Sequence, residues 1–178
     1  METLDAGGSV RTMFVDFRKA FDHVDHNLLI SKLLSYDIPH CIIRWVHSYL
    51  SHRRQRVRVN GELSAWTRLI GGMPQGLWLG PLTFLVLING LIIECRVHKF
   101  IDDTTLTETL LSRPHTSIMQ TYVDQLEAWT ANNHMIINTN KTKEMLLGPL
   151  SKSSPYELLI GQVKAERVAG FILSLIHI

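Results

Sequence analysis

The sequence predicts one α+β domain in which helices pack on a small antiparallel sheet. Its 178 residues are 46% hydrophobic and 19% charged, so a sizeable core can form and disorder is excluded for most of the chain. Short strand-like runs and longer amphipathic stretches alternate along it. No internal repeat and no long linker marks a second domain.

Composition excludes several classes of protein. Eighteen basic against sixteen acidic residues give a net charge of +2, which provides no general attraction to nucleic acid or membranes. Two cysteines, Cys41 and Cys95, are too few for a disulfide scaffold and fit a reducing compartment. The first residues lack the pattern of a signal peptide, and the most apolar stretch is shorter than the roughly 20 residues that span a bilayer. We therefore expect an intracellular protein, nuclear or cytoplasmic, with no membrane partner.

The first fifty residues predict one strand and two helices. Residues 13–17 form a short apolar run that is typical of a buried strand. Asp25 is placed to cap a helix over 27–36, and a second helix follows Pro39. The apolar face of that second helix consists of Ile42, Ile43, Trp45, Val46, Tyr49 and Leu50.

A hairpin, a glycine-rich loop and a buried helix are predicted next. Residues 55–60 alternate as a strand, Asn60-Gly61 is a strong turn signal, and 63–70 can return. Glycines then mark 71–76 as a loop, and the apolar run over 81–93 predicts a buried helix.

The second half predicts two strands around a tight acidic turn, then a helix. Strands are expected over 97–101 and 104–107, with Asp102-Asp103 between them. A helix over 117–133 would bury Ile118, Tyr122, Leu126 and Trp129. From Met135 onward, short strand-like runs alternate with turns.

Three acids at strand ends are the main chemical feature: Asp16, Asp102 and Asp103. Carboxylates gathered in a low-dielectric setting repel each other unless a cation lies between them. Mg²⁺ meets that need with oxygen ligands, and two ions about 4 Å apart can drive phosphoryl transfer. On spacing alone, a polar hairpin turn and an ordinary loop acid explain these residues more simply.

The glycine-rich loop over 71–76 opens a helix and is the second chemical feature. Glycines let the backbone approach a ligand closely, and a helix N-terminus favours anionic partners. No Gly-Lys-Ser/Thr follows, so this is not a Walker loop. Taken alone, it is more often a plain turn than a substrate cradle.

Four segments combine these features in a fixed order: FVDFRKAFDHVDH at 14–26, MPQGLWLGPLTFL at 73–85, FIDD at 100–103 and WTANNHMIINTNKTKEM at 129–145. They resemble motifs A, B, C and D of the reverse transcriptases of non-LTR (LINE-type) retrotransposons. Each motif by itself is weak evidence for this resemblance, but all four in order over most of the chain are strong evidence. The resemblance implies a polymerase palm-like antiparallel sheet packed on helices, with the fingers and thumb largely absent.

The resemblance also implies roles for single residues. Asp16 and Asp102 would bind two Mg²⁺ ions (with Mn²⁺ as a possible substitute), Asp103 would support them, and the carbonyl of Phe17 would be a further ligand. The implied substrate-binding residues are Phe21 as the steric gate against a ribose 2′-hydroxyl, and Pro74, Gln75 and Gly76 against the nucleotide and the template base. Lys141 would protonate the pyrophosphate. The implied partners are an RNA template, a DNA primer and a dNTP.

Other clusters leave alternatives open. Arg56 and Arg58 would lie on one strand face and suit phosphate contacts, although an edge strand kept charged against aggregation is an equal explanation. His23 and His26 with Asp25 are a weak match to a metal or phosphohydrolase site. We interpret them as polar residues at a helix start.

Departures from the family lead to an expectation of weak activity. Residues 1–12 form a short lead where relatives have a fingers region, and 13–178 would be a partial palm domain. Residues 166–178 resemble a degraded primer grip with no thumb beyond it. Ile101 stands where alanine is usual, and Gly90 where aspartate is usual. We expect polymerisation by the isolated chain to be inefficient. The alternatives are a non-catalytic nucleic-acid-binding or interaction module and a poorly folding remnant.

Overall fold

The computed structural model describes residues 2–74, 76, 78–111, 116–152 and 155–171. They form two compact units, one of Met1–Arg18 with Ile88–Ile178 and one of Lys19–Leu87. The helices are α1 (Glu2–Asp5), α2 (His26–Leu34), α3 (His40–Leu50), α4 (Leu79–Asn89) and α5 (Met119–Asn132), with a 3₁₀ turn at Pro149–Lys152. The strands are β1 (Ser9–Val15), β2 (Arg54–Gln55), β3 (Arg58–Val59), β4 (Glu62–Leu63), β5 (Thr67–Arg68), β6 (Arg96–Phe100), β7 (Asp103–Leu110), β8 (Lys143–Leu147), β9 (Leu159–Ile160), β10 (Val163–Lys164) and β11 (Glu166–Val168).

The first unit is built on a five-stranded sheet. Its strand order is β11-β8-β1-β7-β6. Neighbouring strands in it are antiparallel, except that β11 runs parallel to β8. The predicted α+β class with a palm-like, largely antiparallel sheet is thus confirmed. Of the segment that resembles a primer grip, Glu166–Val168 form β11, while residues 172–178 lie outside the described residues.

Strand β1 begins at Ser9, four residues before the predicted start. The apolar pattern misses this part because Arg11 lies inside the strand, yet the Arg11 side chain is fully buried. Its Nε donates to Glu144 Oε1 at 2.6 Å, and its Nη1 and Nη2 donate to Ser117 Oγ at 2.9 Å and to the Tyr156 carbonyl at 2.8 Å. A charge that is fully paired in this way can occupy a central strand.

Helix α5 buries Met119, Val123, Leu126 and Thr130. The predicted face is therefore rotated by one residue, and Ile118 is half exposed. Both sets have helical spacing, so the sequence pattern does not separate them. Trp129 near the end of the helix contacts the buried ring of Phe17, with ring centroids 6.2 Å apart.

Helices α2 and α3 of the second unit begin within one residue of their predicted starts. The Asp25 carboxylate caps α2 by accepting hydrogen bonds from the N–H groups of Asn27 and Leu28 at 2.8 and 3.0 Å. Helix α3 follows Pro39 and buries Ile43, Val46 and Leu50. Two members of its predicted apolar face, Ile42 and Trp45, are instead exposed, and so is Cys41.

The predicted hairpin is present as a two-stranded ribbon over residues 53–69. Strand β2 pairs with β5 and β3 pairs with β4, all antiparallel. At its turn, Asn60 and Gly61 have φ angles of 50° and 90°. A two-residue turn with both φ angles positive is the type that matches the twist of the strands and favours Asn-Gly.

Helix α4 ends at Asn89, four residues before the predicted end. Gly90 therefore lies outside the helix and does not weaken its interior. The Lys99 ammonium of β6 donates to the carbonyl of Ile88 in the last turn of α4 at 3.1 Å and to that of Leu91, just beyond the helix, at 2.6 Å, so a positive charge lies at the C-terminal end of the helix. Burial lowers the pKa of Lys99. Within the described part of the chain, none of the helices combines the length and apolar character needed to cross a membrane.

Candidate active site

The strand register sets the positions of the acids in the first unit. In the last pair of β1 and β7, Val15 lies opposite Thr104, the second residue of β7. Asp16 follows Val15, so it leaves β1 beside the start of β7. Phe100 pairs with Asp103, and the turn between β6 and β7 consists of Ile101 and Asp102. The predicted turn is thus displaced by one residue, with Asp102 at its tip and Asp103 as the first residue of β7.

Ile101 occupies this turn in a strained conformation. Its φ angle is 54°, in the left-handed region that β-branched residues rarely adopt. Such strain costs of the order of 1–3 kcal/mol and persists where the surrounding structure enforces it. The turn that carries Asp102 is therefore held in place by its flanking strands rather than by the preference of its own residues.

Burial and mutual repulsion perturb the acids. Burial raises the pKa of Asp102, the charge of Asp16 raises it further, and the charge of Lys141 opposes the increase. Burial likewise raises the pKa of Asp103, with added contributions from Asp102 and Asp16. The charge of Asp16 thus acts on both Asp102 and Asp103, and Lys141 lies near enough to Asp102 to compensate there in part.

The segment 138–142 fixes Asp16, a role that the sequence pattern alone did not indicate. Asn138 Nδ2 donates to Asp16 Oδ2 at 2.9 Å, and the Asn138 N–H donates to the Asp16 carbonyl at 2.8 Å. The Asp16 N–H donates to Thr142 Oγ1 at 3.2 Å. The signal was present in the sequence, since Asn138 and Thr142 belong to the segment that resembles motif D.

Backbone geometry also sets the direction of the Phe17 carbonyl. Phe17 forms an isolated bridge with Ile137, bracketed by hydrogen bonds from Asn138 N–H to Asp16 O and from Arg18 N–H to Ile136 O. Phe17 therefore belongs to a pair without hydrogen bonds, and its own carbonyl faces away from 136–138. That is the side of β1 on which β7 lies, and it suits the predicted ligand role.

The carboxylate oxygens of this site suit a hard divalent cation whose other ligands come from water and substrate. No three His, Cys, Asp or Glu side chains among the described residues converge on a point where they alone would hold a metal. Mg²⁺, however, is commonly bound through one or two carboxylates together with water and substrate phosphates. The carboxylates of Asp16 and Asp102, whose repulsion raises the pKa of Asp102, are donors of this kind.

The second unit contains the remaining predicted substrate-binding residues. Met73 N–H donates to the Phe21 carbonyl at 2.8 Å, so Phe21 lies beside the loop that contains Pro74 and the exposed Gly76. The rings of Phe21 and Phe84 pack with centroids 5.1 Å apart. Gln75 lies outside the described residues.

Close backbone approach explains one glycine of this loop. Gly72 has a φ angle of 79°, and a Cβ there would lie 3.0 Å from the Asp22 carbonyl oxygen. His26 Nε2 lies 2.7 Å from the Gly72 carbonyl oxygen, which supports the interpretation of this histidine as a polar residue at the helix start.

Arg56 and Arg58 are both exposed on the ribbon.

Comparison with known proteins matches nearly the whole chain to one family. The sequence model described as "Reverse transcriptase (RNA-dependent DNA polymerase)" matches residues 3–171. The RNA-directed DNA polymerase from mobile element jockey of Drosophila melanogaster is 29% identical over 161 residues, which cover 84% of this chain and 18% of the relative. The probable RNA-directed DNA polymerase from transposon X-element of the same species is 25% identical over 174 residues, covering 91% and 19%. The chain thus spans less than a fifth of the length of these relatives.

Solved structures support the fold. A telomerase from Candida tropicalis in complex with a fragment of telomeric RNA superposes with a TM-score of 0.61 and 13% identity, covering 85% of this chain and 28% of that one. The apo telomerase of the same species, truncated from its C-terminal domain, gives a TM-score of 0.57 and 13% identity over 78% of this chain and 31% of that one. At such identity, the likeness concerns the fold alone.

Proposed function

Because the chain belongs to the reverse transcriptase (RNA-dependent DNA polymerase) family, we propose that it carries the nucleotidyl-transfer site of an RNA-directed DNA polymerase. The observation that carries the proposal is the meeting of Asp16 with the turn Ile101–Asp102, set by the register of β1, β6 and β7. The proposed partners are an RNA template, a DNA primer and a dNTP.

In the proposed reaction, the primer 3′-hydroxyl attacks the α-phosphorus of the dNTP and pyrophosphate leaves. Asp16 and Asp102, with the Phe17 carbonyl and support from Asp103, would hold two Mg²⁺ ions, for which Mn²⁺ can substitute. When bound, the ions would supply charge to activate the attacking oxygen and stabilise the leaving one. Lys141, whose charge opposes the rise in the pKa of Asp102 that burial causes, would donate a proton to the pyrophosphate.

Substrate selection is proposed for residues of the second unit. Phe21 would exclude a ribose 2′-hydroxyl, and its ring is held by Phe84. Pro74, Gln75 and Gly76 would contact the incoming nucleotide and the template base. A rigid ring discriminates by steric exclusion, so Phe21→Val should admit ribonucleotides without abolishing transfer of deoxynucleotides.

The proposal is tested by single-nucleotide addition to a primer on an RNA template with Mg²⁺ or Mn²⁺. This assay requires only one transfer and no processive synthesis. We expect Asp16→Asn and Asp102→Asn each to lower the rate at least about 100-fold, because these carboxylates would hold the cations that stabilise charge in the transition state. Asp37→Asn, which changes an exposed aspartate, is the matched control and should retain the wild-type rate.

Binding of Mn²⁺, followed by titration calorimetry with the same variants, provides a readout besides activity. The proposal requires that Asp16→Asn and Asp102→Asn weaken Mn²⁺ binding while Asp37→Asn does not. It fails if Mn²⁺ binding and nucleotide addition are both indifferent to Asp16 and Asp102.

A further inference from the structure

The ribbon over residues 53–69 concentrates positive charge. It carries five arginines, at positions 53, 54, 56, 58 and 68, and one acid, Glu62. The net charge of +4 on 17 residues contrasts with +2 for the whole chain. No salt bridge among the described residues involves any of these arginines. The ribbon is thus a strong local positive field within a nearly neutral chain.

The ribbon also lacks a core of its own. All eight residues of its four short strands are exposed. Its apolar side chains are open to solvent as well, with Val57 and Val59 each about 60% exposed and Trp66 57% exposed. A two-stranded ribbon is marginally stable in water, so this one gains from a partner that covers it.

The register sets two arginines against each other. Arg54 lies directly opposite Arg68, and in the next pair Leu69 N–H donates to the Arg53 carbonyl at 2.9 Å. Arg54 and Arg68 therefore form a pair without hydrogen bonds, in which the side chains lie closest, with Cα atoms about 4.5 Å apart. Like charges directly opposite each other destabilise a ladder. A polyanion bound across them removes that penalty.

Aromatic rings lie among the arginines. The Arg56 guanidinium stacks over the ring of Trp66 at 4.5 Å, and that of Arg53 stacks over Tyr49 at 5.1 Å. Arginine and exposed aromatic side chains together provide phosphate contacts and stacking surfaces for unpaired bases. A duplex, whose bases are stacked inside, would not use Trp66 in this way.

The base of the ribbon opens into a cleft of about 500 Å³. Arg53, Arg54 and Gln55 line one part of it, and Gly71 and Gly72 line another. Asp22 is the acid in this lining, so the cleft is mixed in charge while the ribbon is basic. A strand lying along the ribbon would thus end beside the glycine-rich loop.

From these observations we infer that the ribbon 53–69 binds single-stranded RNA through its phosphates, with Arg54 and Arg68 as a paired clamp and Trp66 as a stacking surface. The inference deepens the proposed function, because a templated polymerase must hold its single-stranded template. It extends the predicted contacts of Arg56 and Arg58 to the whole ribbon. The alternative is a ribbon that is charged merely to prevent aggregation. Such a ribbon would need no RNA to relieve the repulsion between Arg54 and Arg68.

Fluorescence anisotropy of a labelled oligouridine of about 20 nucleotides, longer than typical single-strand sites, tests the inference with the full chain. The buffer contains EDTA and no dNTP, so binding is measured independently of nucleotidyl transfer. The double variant Arg54→Gln/Arg68→Gln should raise Kd and lower the slope of log Kd against log salt by about 1.4, or 0.7 per phosphate contact. Trp66→Ala should weaken binding without changing that slope.

Thermal unfolding of the same proteins without RNA separates a binding role from a structural one. Removing the like-charge pair should raise the unfolding midpoint of the double variant by about 1–3 °C, so weaker binding cannot result from misfolding. Arg58→Gln, opposite Leu63, should weaken RNA binding with no such gain. Arg96→Gln, an exposed arginine of β6, is the control and should change neither quantity.

The inference is overturned if Arg54→Gln/Arg68→Gln binds the oligouridine with unchanged affinity and salt slope. It is also overturned if duplex RNA binds as tightly as the single strand. Because no metal or nucleotide is present, these outcomes are distinguishable from failure of the nucleotidyl-transfer site.

Discussion

At the scale of single residues, Asp16 depends on a neighbour far away in the sequence. Its carboxylate and both its backbone groups bond to Asn138 and Thr142. A carboxylate that binds a cation works best when such a partner fixes its orientation. Asn138 is therefore a positioning residue for the proposed site.

We predict that Asn138→Ala lowers both Mn²⁺ affinity and the rate of nucleotide addition by about 10–100-fold, the range typical of partners that orient metal ligands. Titration calorimetry and single-nucleotide addition provide the measurements. Asn140→Ala removes an exposed amide two residues away and should leave both unchanged. Equal Mn²⁺ affinity in Asn138→Ala and the wild type would contradict the positioning role.

Asp102 gives a prediction about pH. Its pKa is raised above 3.8 in the folded chain by burial and by Asp16, so the ionised carboxylate is less favourable in the folded than in the unfolded state. Stability from this group is fully present below pH 3.8 and is lost as the pH rises through the folded pKa. Without metal, Asp102→Asn should therefore be more stable than the wild type at pH 7 and equally stable at pH 3.

The expected gain at pH 7 is below about 1 kcal/mol, because solvent screens a carboxylate that is half exposed. Urea unfolding at both pH values in EDTA measures it. Adding Mn²⁺ should then stabilise the wild type more than the variant, since a ligand stabilises the state that binds it. A variant less stable than the wild type at pH 7 in EDTA would show that Asp102 has a structural role instead.

At the scale of elements, a buried polar network joins β1, β7, β8 and the residues just before α5. Arg11 lies opposite Glu108 in the register, and Glu108 accepts hydrogen bonds from Ser117 Oγ and Ile118 N–H at 2.6 and 2.7 Å. Glu144 of β8 receives Arg11 on one oxygen and Arg167 on the other. This network fixes β1, the strand that Asp16 directly follows.

We predict that Glu144→Ala lowers the free energy of unfolding by about 3–5 kcal/mol, because it leaves the Arg11 guanidinium buried without its carboxylate. Urea unfolding followed by circular dichroism measures the loss. Glu166→Ala is the matched control, since its carboxylate is mostly exposed and pairs with Lys143 at the surface. Its cost should stay below about 1 kcal/mol. Similar losses in the two variants would mean that the network does not determine stability.

At the scale of the whole molecule, stability should be unevenly distributed. Strand β1 is the middle strand of the five-stranded sheet, whereas the ribbon exposes every strand residue. Exchange of backbone amides reports such differences, because amides in buried ladders open only with the fold as a whole.

We predict that amides of β1, β7 and β8 exchange slowest and that those of β2–β5 exchange faster. Hydrogen–deuterium exchange with mass spectrometry measures both groups in one experiment. Addition of oligouridine should slow exchange in the ribbon while leaving the sheet unchanged. A ribbon protected as strongly as β1 without RNA would contradict this distribution of stability.

Much of the architecture follows from local patterns. The α+β class, the cap at Asp25, the helix after Pro39 and the turn at Asn60-Gly61 were all predicted, because each depends on neighbours within a few residues. Errors arose where a pattern allowed two solutions. The buried face of α5 shifted by one residue, as did the acidic turn, because adjacent registers present equally good spacing.

The sequence by itself determined the family, through four motifs in the family's order, and it placed acids at strand ends, because apolar runs and acidic turns are local properties of the chain. Only the tertiary structure decided that Arg11 lies in the central strand, that Asn138 holds Asp16, and that Arg54 opposes Arg68. Arg11 and Glu144 are 133 residues apart, and Asn138 and Asp16 are 122 apart. The free energy of a buried charge or a repelling pair depends on which groups the folded chain brings beside it, and no local pattern contains that information.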